Sequence, residues 1–64
     1  MTVLESLAGS YDFVVVSRAV QQMKRAPTEA ARQQILRGID HPLVPEWRQL
    51  AEQAWREEQE AAHG

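Results

Sequence analysis

Apolar residues recur along the chain at helical spacing, most clearly between residues 13 and 25. When that segment is placed at about 100° per residue, its apolar side chains fall on one continuous half of the helix. This half holds Phe13, Val16, Ala19, Val20 and Met23. Polar side chains fill the other half, so the segment predicts an amphipathic helix of about three and a half turns.

A strand is the alternative for the start of this segment. Residues 12–16 include the run Phe-Val-Val-Val, and β-branched and aromatic residues favour strands. The chain has no second run of this kind, so such a strand would need a partner strand from another copy. The run also lacks alternation of polar and apolar residues, and the helix is therefore the favoured prediction.

Capping residues divide the N-terminal region into two helices. Thr2 and Glu5 have the spacing of a capping box, in which the threonine oxygen caps the helix and the glutamate reaches back to the cap amide. This spacing predicts a short first helix over residues 3–8, which Gly9 ends in a left-handed conformation. Ser10 or Asp12 is then expected to cap the next helix.

A third helix is predicted between Thr28 and Gly38. Pro27 disfavours helical geometry at the preceding residue, and Thr28 can cap the helix that follows. The apolar side of this helix is formed by Ala31, Ile35 and Leu36, joined by Ile39. Arg32 falls on the same side, and we expect its stem to cover the core while its charged end reaches solvent.

A fourth helix follows the rigid connection between Pro42 and Pro45. Pro45 suits the first helical position, and the helix is predicted to run to about Ala61. Its buried stripe is predicted to be Trp47, Leu50, Ala51, Ala54 and Trp55. Its exposed side carries Arg48, Glu52, Arg56 and Glu60 as a ladder of i,i+4 pairs. Residues 61–64 are expected to fray.

These elements predict an all-α fold, in which residues 1–64 form one small bundle of a short N-terminal helix and three longer helices. A core of this size seldom supplies more than about 3–5 kcal/mol of stability. The chain has no cysteine, so disulfides cannot add to that stability. Self-association is therefore expected, and a homodimer is its simplest form.

Charge is distributed unevenly along the chain. Residues 13–39 carry five basic side chains and one acidic, whereas residues 40–64 carry six acidic side chains and two basic. We expect helices of opposite charge to neutralise each other. A basic patch for nucleic acid is the alternative, but a pI near 5.6 is unlike the usual electrostatic footprint of such proteins.

The sequence predicts no catalytic, cofactor or metal site. His41 follows Asp40 in a loop, but adjacent loop residues point in different directions, and a catalytic histidine needs a nucleophile or a substrate proton within hydrogen-bonding reach. His41 and His63 are the only histidines and the chain has no cysteine, so a structural metal is not expected. The glycines lie at helix ends or at the terminus, which excludes a phosphate-binding loop.

The chain carries more large apolar and aromatic side chains than so small a bundle is expected to bury. Val14 falls on the polar side of its helix, and the two tryptophans are of the type enriched in interfaces. We therefore predict a small non-enzymatic protein-interaction module or regulatory adaptor, which binds a protein partner or a second copy of itself. The predicted surface consists of Val14, Arg18, Arg25, Trp47, Leu50, Ala54 and Trp55.

The alternative function is a small dimeric DNA-binding regulator that uses the helices predicted at 13–25 and 29–37. These helices are joined by a short turn, and Gln33 and Arg37 are residue types that can contact base edges. No run of 18 apolar residues is present, and no basic start leads into a long apolar stretch. A cytoplasmic protein is therefore the expectation.

Overall fold

The computed structural model describes the backbone of residues 1–63 and the side chains of residues 1–62. This part of the chain contains four helices. They are α1 (Val3–Leu7), α2 (Tyr11–Arg25), α3 (Glu29–Gly38) and α4 (Glu46–His63). Within the described residues there is no strand, so the predicted all-α bundle is confirmed. Gly64 lies outside the described residues, and the fraying expected for residues 61–64 stays a prediction. No helix in this part of the chain has the length and apolar character needed to cross a membrane.

The strand alternative for residues 12–16 is wrong, because the whole segment lies in α2. This helix begins at Tyr11, two residues before the predicted start, and Ser10 precedes it in an extended conformation. The valine run serves the helix because Val16 is completely buried at the contact with the other helices. Tertiary burial thus outweighs the β-propensity of the run.

The helix ends show which capping predictions hold. The Thr2 hydroxyl accepts from the Glu5 amide at 3.2 Å, and it donates to the Glu5 carboxylate at 3.1 Å. The glutamate therefore bonds the threonine side chain and not the cap amide. Thr28 caps α3 by accepting from the Ala31 amide at 3.1 Å, and Gly9 has a φ of 89° after α1. Ser10 instead donates its hydroxyl to the Leu7 carbonyl at 2.7 Å.

The α2 and α4 helices form the centre of the bundle, since each of them contacts the other three helices, and the contact between α2 and α4 is the most extensive. The buried stripe of α2 faces α4, while α1 and α3 pack beside the two. The buried core consists of Val3, Val16, Ala19, Val20, Met23, Leu36, Ala51 and Ala54. The Cα atoms extend over 31 × 27 × 14 Å, and the shortest extent corresponds to two layers of helices packed about 8–10 Å apart.

The connection before α4 is a tight turn. The Val44 amide donates to the His41 carbonyl at 3.1 Å, and the Leu43 amide donates to His41 Nδ1 at 3.0 Å. The helix begins at Glu46, so Pro45 lies one residue before the first helical position that the sequence predicted for it. The proline still costs no hydrogen bond there, since the first amides of a helix have no partner within it.

Polar contacts tie the C-terminal half of α4 to the other helices. Lys24 forms an ion pair with Glu58, and the Val3 amide donates to Glu57 at 3.1 Å. Of the predicted ladder on α4, the step from Glu52 to Arg56 is formed, at 3.0 Å. Side chains of the Lys24–Glu58 pair are about one third exposed, so we expect it to add less than about 1 kcal/mol of stability.

The largest completely buried side chain gives a direct test of this core. Leu36 is 1% exposed, whereas Leu43 is 84% exposed in the turn before α4. We expect Leu36→Ala to cost about 2–5 kcal/mol, which is close to the whole stability of a domain of this size. Urea unfolding followed by far-ultraviolet circular dichroism measures this cost. Leu43→Ala is the matched control and should change stability by less than about 0.5 kcal/mol. Equal unfolding midpoints for the two variants would contradict the assigned core.

Candidate interaction surface

The predicted surface residues fall into two groups in the structure. Val14, Arg18 and Arg25 are exposed and lie on the side of α2 that faces away from the core. This side is called the outer face of α2, and it consists of Tyr11, Val14, Arg18, Gln21, Gln22 and Arg25. The four predicted residues of α4 pack inward.

The outer face of α2 combines apolar and basic side chains. Tyr11 is 71% exposed and Val14 is 47% exposed, so the N-terminal half of the face presents apolar surface. Arg18 and Arg25 follow at a separation of about two turns, and no acidic residue belongs to the face. The face is therefore apolar at one end and positively charged toward the other.

A groove runs between α2 and α3 beside this face. Its first part, of about 180 Å³, is lined by Tyr11, Val14, Val15, Arg18, Ala19, Gln22 and Ile39. Gln22 and Ile39 also line a second, wider part of the groove. The other residues that line this part are Arg25, Ala26, Ala31, Gln34, Ile35 and Gly38. The two parts share Gln22 and Ile39 in their lining, and together they are called the α2–α3 groove. Most side chains on its floor are apolar, while arginines lie along its α2 edge.

Trp47 lies at the meeting point of three segments. Its indole Nε1 donates to Asp12 Oδ1 at 2.7 Å, which links α4 to the first turn of α2. The Tyr11 ring lies with its centroid 6.0 Å from Trp47 at an interplanar angle of 52°, and the His41 ring lies at 6.1 Å and 64°. Trp47 thus makes its polar contact inside the molecule and holds Tyr11 at the edge of the α2–α3 groove.

Trp55 joins α4 to α3. The Arg32 guanidinium carbon lies 4.2 Å from the centroid of the Trp55 ring, which is a cation–π contact. Arg32 is half-buried, and its charged end rests on the indole ring. The indole Nε1 is buried and has no hydrogen-bond partner among the described residues. Both tryptophans are only partly buried and pack against the core.

The remaining two predicted residues belong to the packing of α4. Ala54 is 2% exposed in the core, and Leu50 is half-buried beside it. The surface that Ala54 offers is a small part of the lining of a cavity of about 170 Å³ between α1 and α4, which Thr2, Leu4, Glu57, Glu58 and Ala61 also line. A role in partner binding for the four α4 residues stays a prediction. Val14, Arg18 and Arg25 lie together on the outer face of α2, to which the α4 residues do not contribute.

Sequence reasoning missed several residues that line the groove, among them Val15, Gln22 and Ile35. One available signal is the spacing of positions 11, 15, 18, 22 and 25, which alternates between four and three residues. This alternation places side chains along one side of a helix, which is called the seam, and of its five residues Arg18, Gln22 and Arg25 are polar. The seam identifies the α2 side of the groove. The α3 side depends on how the two helices pack.

The structure gives His41 a role in the turn. Its Nδ1 accepts from the Leu43 amide, and its ring packs on Trp47. Within the side chains that the structure describes, no group of three histidine, aspartate or glutamate residues could hold a metal ion.

Comparison of the chain with protein-family models, curated proteins and solved structures finds no match. The functional argument therefore depends on the geometry of this chain alone.

The bond between Asp12 and Trp47 can be tested by comparing two substitutions. Asp12→Ala removes the acceptor and also the negative charge in the first turn of α2, whereas Asp12→Asn keeps a carbonyl acceptor. We expect Asp12→Ala to lower stability by about 1–2 kcal/mol. The Asn variant should lose only the favourable charge–dipole interaction, about 0.3–1 kcal/mol. Urea unfolding measures both, and equal losses would show that the hydrogen bond contributes nothing beyond the charge.

Proposed function

We propose that this chain is a small non-enzymatic protein-interaction module that binds through the outer face of α2 and the α2–α3 groove. The observation that carries the proposal is the open, largely apolar groove that runs between the two helices. Tyr11 and Val14 stand exposed at one end of it, and Ile35 and Ile39 contribute apolar surface from the α3 side. Grooves of this kind accept apolar side chains of a partner, which is either another protein or a second copy of this chain.

The distribution of basic residues favours a protein partner over DNA. Of the five basic side chains between residues 13 and 39, Lys24 is paired with Glu58 and Arg32 rests on Trp55. This leaves Arg18, Arg25 and Arg37 exposed on two helices. Nucleic-acid binding depends on many contacts to phosphates, and three arginines on an acidic domain supply few of them.

The proposal is tested by placing a negative charge on the proposed surface. Val14→Glu adds a carboxylate beside the groove, where a bound partner would desolvate it. Gln53→Glu adds the same charge at an exposed position of α4 and is the matched control. Tagged wild-type protein and both variants are used as baits in a nuclease-treated lysate of the native cells. Retained proteins are identified by mass spectrometry, and circular dichroism checks the helical content of each bait.

We expect a protein that is retained by the wild type and by Gln53→Glu, and whose recovery falls at least about tenfold with Val14→Glu. Equal retention by all three baits would contradict the assigned surface. Retention of nucleic acid without nuclease, lost steeply as salt rises, would favour the DNA-binding alternative.

A further inference from the structure

We infer that the α2–α3 groove binds an amphipathic helix of a different protein, and that this helix carries acidic side chains beside its apolar face. The inference rests on the function proposed above and specifies the chemistry of the partner. It follows from the shape of the groove and from the charges along its edge.

The shape of the groove suits a helix. The side chains on its α2 edge lie along one side of a helix, and a second helix can pack along such a side nearly parallel or antiparallel to it. The seam from Tyr11 to Arg25 extends over about 21 Å, which matches about four turns of a partner helix. Strand addition by an extended peptide would require the free edge of a sheet, and the part of the chain that the structure describes contains no sheet.

The charge of the edge selects an acidic partner. Arg18 and Arg25 are exposed, and among the described side chains neither takes part in an ion pair. Gln22 lies between them on the same seam. A partner helix with glutamates or aspartates about two turns apart would place one carboxylate near each arginine. Such pairs on the rim of an interface chiefly set partner choice and the rate of association.

A second copy is a poor fit to the same edge. In a symmetric dimer each copy contributes the same face, so the face must be complementary to itself. The outer face of α2 carries Arg18 and Arg25 without an acidic residue, and two such faces would bring like charges together. The exposed side of α4 does not replace it, because that side is polar, and Arg48 and Arg56 lie among its glutamates.

Two synthetic peptides test the inference. Both are fluorescein-labelled helices of about 18 residues with the same leucine seam, flanked by glutamates in one peptide and by lysines in the other. Binding to the full chain is measured by fluorescence anisotropy at low salt and at physiological salt. At low salt, we expect the glutamate peptide to bind at least about tenfold more tightly than the lysine peptide. The difference in affinity between the two peptides should decrease as salt rises.

A charge reversal locates the effect. Arg18→Glu combined with Arg25→Glu should reverse the preference, so that the lysine peptide binds more tightly. Arg48→Glu combined with Arg56→Glu makes the same change in net charge on α4 and should leave the preference for the glutamate peptide in place. Circular dichroism of each variant confirms the helical content.

Light scattering coupled to size exclusion completes the test. A mass near 7.3 kDa at all concentrations supports a different protein as the partner. A dimer that Val14→Glu dissociates would overturn the inference and assign the groove to a second copy, while the proposed surface would stand. Stronger binding of the lysine peptide to the wild type, or no binding of either peptide, would also overturn it. The bait experiment with Val14→Glu decides the proposed function separately.

Discussion

The close contact between α2 and α4 is the constraint on which the rest of the structure depends. These are the two longest helices, and Ala19 of α2 and Ala51 and Ala54 of α4 are buried in the core that they share. Small side chains let helix backbones approach closely, so a chain of this length can form a continuous core. The two indoles are only partly buried and pack against this core, so the large aromatic side chains lie around its edge.

That arrangement explains the polar partners of the two tryptophans. An indole N–H at the edge of a core either finds an acceptor or loses its hydration without compensation. Trp47 finds Asp12, which lies 35 residues earlier in the chain, and the bond fixes the start of α2 against α4. Trp55 is stabilised through its ring by Arg32, while its N–H stays without a partner among the described residues. Trp47 thus anchors the start of α2, and Trp55 anchors α3.

Much of this fold could be predicted from the sequence because its signals are local. Thr28 capping α3 and Gly9 after α1 act within a few residues, and helical periodicity separates Val16 from Val14. The strand-like run at 12–16 was ambiguous because β-propensity is also local, and only the burial of Val16 by other helices decides between the two structures.

The candidate surface was only half predictable for the same reason. Helical periodicity shows that Val14 and Arg18 point away from the apolar half of α2, whichever helix covers that half. It also shows that Leu50 and Trp55 belong to the apolar half of α4, but not that three other helices cover it. Whether an apolar stripe forms a core or an interface depends on the neighbours that packing supplies. The α3 side of the groove, with Ile35 and Ile39, depends on packing in the same way.

The packing of the helices determines which of the unevenly distributed charged side chains find a partner and which stay exposed. Among the described side chains, opposite charges on the basic middle and the acidic last helix meet in the pair of Lys24 with Glu58. Arg32 is accommodated by an aromatic ring, and Arg18 and Arg25 are left on the face that no helix covers. A helix bound along one groove buries an area at the low end for protein interfaces, where complexes are typically transient. On so small a surface, apolar contacts can bind many partners. Discrimination between partners therefore depends on the charged α2 edge of the groove. The two arginines on the outer face of α2 are therefore the side chains through which this fold can select a partner.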